Sequence, residues 1–226
     1  MKQAWCIAGL LLLSQSIFAQ FGISGSYRVH DAKDWKIVYP DQTSQEILGD
    51  GLSLGVDYWF RLKNYRVEFL PELNVILPQA LTAQDGSELD IKFYSLFFNI
   101  NFYLFDFMGD CDCPTWSKQG NFAKKGFFVQ LSSGITMLQN AVTTEGVESS
   151  ANDWALSLGA GIGFDIGITD LVTFTPMLGV RYFPKANWSS LEEAKASWTF
   201  EQESPITQLY MGARLGFRFD YKNGRR

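Results

Sequence analysis

Apolar and polar residues alternate with period two along most of this chain. Leu52, Leu54, Val56, Tyr58 and Phe60 interleave with Ser53, Gly55, Asp57, Trp59 and Arg61. Tyr65, Val67, Phe69, Pro71, Leu73, Val75 and Leu77 face away from Arg66, Glu68, Glu72 and Asn74, and Tyr94, Leu96, Phe98, Ile100, Phe102 and Leu104 from Ser95, Asn99 and Asn101. The same period carries Phe127 to Met137, Trp154 to Ile168, Val172 to Tyr182 and Leu209 to Tyr221, with a weaker segment from Phe21 to Arg28. Successive side chains of a strand point to opposite faces, so each segment reads as a two-faced strand, eight in all.

These strands run to about 9–16 residues, longer than the usual soluble strand of about 5–6. About 9–11 tilted residues cross a bilayer. Eight antiparallel strands can close on themselves, which removes the edges and satisfies every backbone group inside lipid. The fold expected is therefore all-β, an eight-stranded antiparallel up-and-down transmembrane β-barrel. A soluble lipocalin-type barrel also alternates, but it would turn its polar face to water. Here that face carries Gly159, Gly161, Gly163 and Gly167 in series. Serial glycine weakens a water-facing strand and suits the crowded lumen of a narrow barrel. The same face holds both charge signs (Asp57, Arg61, Arg66, Glu68, Glu72, Asp165, Arg181, Arg214 and Arg218), which can neutralise one another inside. The glycines do not form a nucleotide fingerprint, since they sit within a strand instead of at a strand-to-helix junction.

Composition adds the export route. Apolar residues are 46% and aromatics 15% of 226 residues, which excludes disorder. The one long apolar run is MKQAWCIAGLLLLSQSIFA, with Lys2 before an apolar stretch and Ala19 before the expected cut, so residues 1–19 read as a signal peptide and 20–226 as the barrel. Without Lys2, 18 basic against 24 acidic residues leave a net charge of −6 and no basic footprint for nucleic acid. Cys6 departs with the leader, leaving Cys111 and Cys113 in an oxidising compartment.

In its overall pattern the mature chain resembles the small outer-membrane β-barrels of the Bacteroidota, the group of OmpX-like, OmpA-barrel-like and PorT-like proteins. Its best local motif is Arg214, Gly216, Phe219 and Tyr221, the polar-x-Gly-x-x-aromatic-x-aromatic spacing of a final strand read by barrel-assembly machinery. KNGRR follows, whereas that signal usually ends the protein. The resemblance implies outer-membrane localisation, contact with lipid and lipopolysaccharide, and both termini in the periplasm. Outer loops then fall at about 29–50, 78–89, 139–152 and 184–205, and inner turns at 62–64, 106–124 and 169–170.

The loop at 106–124 is long where its siblings are tight. Cys111 and Cys113 within it would form a small disulfide staple, with redox exchange, thiol metal binding beside Asp110 or Asp112, and pairing with another chain as alternatives. Asp112, Pro114, Trp116, Lys118, Lys124 and Lys125 make this loop the candidate partner-binding surface, Lys124 and Lys125 also reading as interfacial snorkelling residues. His30, the sole histidine, reads as a solvated loop residue. A lipid-modifying enzyme would need it beside a nucleophile such as Ser87 with Asp85 or Asp31, and no spacing supports that. Ser189 to Ala196 reads as a turn or two of helix over an outer loop. Side chains fill an eight-stranded lumen, so a wide pore is not expected. The function expected is a non-enzymatic barrel acting through its loops, without cofactor or metal, as a structural or accessory subunit of a cell-envelope complex such as barrel assembly or type IX secretion. The alternatives are the lipid-modifying enzyme and a ligand-binding or adhesive barrel using Trp35, Trp188 and Trp198.

Overall fold

The computed structural model describes residues 20–62, 65–105, 126–169, 171–193 and 199–218. Eight long strands form the wall: β1 (Gln20–Ala32), β2 (Gly51–Tyr58), β3 (Val67–Pro78), β4 (Glu88–Phe102), β5 (Phe127–Thr144), β6 (Val147–Phe164), β7 (Val172–Asn187) and β8 (Glu203–Arg218). Each pairs antiparallel with its neighbour in sequence. The barrel closes because β1 pairs with β8 over its whole length, from Gln20 opposite Arg218 to Ala32 opposite Ile206. The expected strand count and closure are what the chain adopts.

The outward face is apolar and bare. Leu54, Leu156 and Met211 remain 66%, 68% and 67% exposed, each flanked by further exposed aliphatic and aromatic residues. A surface of this kind is stable in hydrocarbon and not in water. On β6 the band runs from Trp154 to Phe164, eleven residues, or about 28 Å along the normal for a strand tilted by ~40°. At the end away from the chain termini, the outward residues of β4 to β6 turn polar, among them Lys92, Gln139, Glu148 and Asn152. There the sheet continues past the lipid. The expected outer loop at 139–152 is thus a strand hairpin, in register from Phe127 opposite Phe164 to Thr144 opposite Val147. Glu145 and Gly146 close it with φ of 51° and 79°, the paired left-handed geometry of a two-residue hairpin turn. Polar residues had marked this segment as loop because its outer side faces water. Its inward side keeps period two through Leu138, Asn140 and Val142, all buried.

The chain places its apolar core inside this protruding end. Trp35 and Trp188 meet edge to face at 5.1 Å, and Ile37, Ile47, Leu89, Phe93, Leu138, Phe183 and Ile206 pack in the same cluster. Connections at the loop end fold over it. Lys36–Val38 pairs with Ser44–Glu46 on one side and Thr199–Phe200 on the other, a small sheet across the barrel mouth. One helical turn, α1 (Ser190–Glu193), stands where helix was expected, and the rest of that segment lies outside the described residues.

One seam is interrupted by proline. The main ladder between β6 and β7 runs from Leu158 opposite Tyr182 to Gly163 opposite Met177. Pro184 follows at one end and Pro176 precedes it at the other. Proline has no N–H to give a ladder, so the two bracket this run, and two further pairs, Ile166 with Phe174 and Gly167 with Thr173, follow beyond Pro176. Beyond Pro184, β7 shifts register against β8 between Phe183 and Ala186, while β6 runs on to Val147 with β5 as its one ladder partner among the described residues.

Candidate functional site

Inward positions along the strands put polar side chains into the half of the lumen nearer the chain termini. Arg214 of β8 reaches Asp57 of β2 with two parallel bonds, Nε to Oδ2 at 2.7 Å and Nη2 to Oδ1 at 2.5 Å. Glu72 of β3 is held by three neutral donors: Ser24 Oγ at 3.0 Å and Asn74 Nδ2 at 2.8 Å on one oxygen, and Asn99 Nδ2 at 2.7 Å on the other. Nearest the termini, the Tyr103 hydroxyl lies 2.9 Å from Glu68 and 2.5 Å from Asp165, whose other oxygen accepts from Thr175 at 2.6 Å. One hydroxyl has a single proton to donate, so it serves one of the two carboxylates at a time.

Space here is set by glycine. A Cβ on Gly161 would stand 2.6 Å from the Tyr210 hydroxyl, and one on Gly163 would overlap the Phe128 ring. The serial glycines therefore admit large side chains from other strands into the lumen. A cavity of about 30 Å³ among these side chains is lined by Arg28, Asp57, Glu72, Arg181, Tyr210 and Arg214 among others. It has room for a water or two.

The expectation that lumen charges neutralise one another holds for Arg214 and Asp57. It fails for Arg181 and for Arg28, a residue the sequence reading left without a role. Both guanidiniums are buried against the Phe97 and Tyr210 rings, and neither has an ion pair among the described residues. The signal for Arg28 was present in the alternation Ser24, Ser26, Arg28, His30, which continues the inward face of β1.

His30 overturns its expected placement. It lies on that inward face, 7% exposed, with its ring stacked on Phe93 at 5.8 Å and its amide donating to Asp50 Oδ1 at 3.0 Å. Neither ring nitrogen has a hydrogen-bond partner among the described residues. Ser87 instead bonds Thr144 at 2.9 Å, its amide donates to Asp85, and Asp31 faces outward. The suggested catalytic set is not brought together.

Trp35 and Trp188 are likewise not a ligand platform, since both are fully buried. Their indole N–H groups donate to the Gln202 carbonyl at 3.2 Å and Ser190 Oγ at 3.0 Å. Asp153 of β6 accepts from Ser189 N, Ser189 Oγ and Asn140 Nδ2, and Asn140 in turn accepts from Ser190 N. These bonds pin the 188–191 connection across the mouth. Residue spacing could not reveal this, because a tryptophan in a polar loop reads the same whether it faces a ligand or a core.

Arg214 and Gly216 of the final-strand motif face inward on β8, while Phe219 and Tyr221 lie outside the described residues. So do Trp198, Cys111, Cys113, Asp112, Pro114, Trp116, Lys118, Lys124 and Lys125, together with the leader. No cluster of three metal-ligating side chains occurs among the described residues.

No protein-family model matches the chain, and no curated protein matches it. Solved structures do. The outer membrane protein AlkL, determined in lipid bilayers, is 13% identical over 90% of this chain and 92% of its own, with a TM-score of 0.50. The attachment invasion locus protein Ail of Yersinia pestis is 14% identical over 88% and 98%, with a TM-score of 0.47. OprG of Pseudomonas aeruginosa is 13% identical over 88% and 96%, at 0.43. Closure, lipid-facing band and likeness together make this chain a small eight-stranded barrel with the fold of outer-membrane β-barrels.

Proposed function

We propose that the protein is a non-conducting, non-enzymatic outer-membrane barrel that works as an accessory subunit of a cell-envelope assembly, through contacts at its ends. The observation that carries this reading is the outer part of β6. From Val147 to Ser157 it is bonded to β5 on one side, and its ladder with β7 begins only at Leu158. Its portion from Val147 to Asn152 stands clear of the lipid band. A strand edge of this kind recruits an extended segment by main-chain hydrogen bonds. A second copy in the same membrane would bring its own β6 alongside running the same way. That leaves only a parallel pairing, the weaker kind. The occupant that suits the edge is an extended segment of another envelope protein, running antiparallel to β6. The loop at 106–124, with Trp116 at its centre, supplies the second contact, on the periplasmic side.

Site-specific photo-crosslinkers at Ser150 and at Trp116, used in native membranes, test this directly. The reading expects a defined envelope protein captured at Ser150, and one captured at Trp116. Absence of any specific adduct from both positions would sink it.

A further inference from the structure

We propose that the lumen binds one small monatomic anion, of the size of chloride, between Arg28 and Arg181. The two guanidiniums belong to β1 and β7 and converge on the same pair of rings. Arg181 Cζ lies 3.2 Å from the Phe97 centroid and 5.9 Å from that of Tyr210, while Arg28 Cζ lies 5.9 Å and 5.4 Å from them. Both residues are nearly sealed from solvent, at 4% and 3% exposure. Two like charges buried in one lumen repel, and each is costly without a counter-charge.

The protein supplies little compensation. Arg28 Nη1 donates to Gln208 Oε1 at 3.1 Å and Arg181 Nη2 to Ser132 Oγ at 2.9 Å, both neutral acceptors. Arg28 Nε, Arg181 Nε and Arg181 Nη1 have no hydrogen-bond partner among the described residues. The nearby acid is Glu72, already engaged by Ser24, Asn74 and Asn99. Asp57 is taken by Arg214. Two cations and one carboxylate leave this layer with one uncompensated positive charge.

Arg28, Arg181 and Glu72 all line the cavity of about 30 Å³, so the residues that carry the unused donors share its wall. Guanidinium nitrogens only donate, and three of them are unused here. The one unpartnered acceptor on the cavity wall is Asn99 Oδ1. Water would have to turn its oxygen to several cations at once and find acceptors for two protons. A monovalent anion accepts from all three donors and cancels the extra charge. Glu72 on the same wall repels anions, which limits the site to single occupancy.

The test uses the mature chain refolded in detergent, with chloride or bromide exchanged for gluconate at constant ionic strength. Bromide-soaked crystals should give an anomalous peak between Arg28 and Arg181. The unfolding midpoint should rise by about 4 °C in halide at ten times the dissociation constant. Arg181→Gln should abolish that rise, as should Arg28→Gln, which provides a second variant if the first does not fold. A midpoint indifferent to halide overturns the proposal even where a bromide peak is seen, since that ion would be adventitious. Water density alone at the site, or an undiminished halide shift in both variants, also overturns it.

Discussion

The two halves of this barrel are filled by opposite chemistry. Toward the chain termini, the lumen holds a bidentate ion pair, a carboxylate wrapped in amides and hydroxyls, and a carboxyl–phenol cluster. Toward the loops, the inward positions hold phenylalanine and branched aliphatics, covered by Trp35 and Trp188 of the connections. The wall explains the difference. Where the outside faces lipid, the inside is the only polar refuge, and glycine makes room for long side chains. Where the strands pass beyond the lipid, both sides of the sheet can be wetted, and the interior must become a conventional hydrophobic core to hold the loops down.

This contrast can be broken by substitution. The largest effect is expected from Arg214→Leu, which leaves the buried Asp57 carboxylate alone and should cost about 3–5 kcal/mol of folding free energy, measured by urea titration in lipid vesicles. Trp188→Phe should cost about 2 kcal/mol, from lost volume and an unpaired Ser190 hydroxyl. Its damage should be confined to the cap, read as faster protease cleavage within 188–202 while the folded barrel still migrates apart from the boiled one on gels. If Trp188→Phe proves the costlier change, the cap and not the lumen holds the fold. Smallest of the three is Lys36→Ala, which removes an exposed pair with Glu46 at 3.6 Å and should alter stability by less than about 0.5 kcal/mol.

The wall was legible in the sequence because lipid enforces a strict alternation, as in Leu52 to Phe60. The cap was not. Lys36–Val38 and Thr199–Phe200 are too short to show a period, and their partnership joins segments at opposite ends of the chain. The hairpin of β5 and β6 was read short because polar outward residues from Gln139 to Asn152 masked the buried series Leu138, Asn140 and Val142. Proline was the missed signal for the weak seam, and the unbalanced arginines needed three-dimensional counting, since Arg28 and Arg181 lie on different strands. The candidate loop around Trp116 falls outside the described residues.

The bracketing prolines of β7 carry a mechanical consequence. Strands β1 and β8, the first and last to be made, are zipped along the full length of β1. The join between β6 and β7 rests on six pairs and, past Pro176, two more. If the cylinder breathes, it should part there and not where its ends were joined. Amide exchange should then be faster along the Leu158–Gly163 ladder than across Gln20–Ala32. The chain's own closure is an unbroken weld, and the join that proline interrupts lies two strands away.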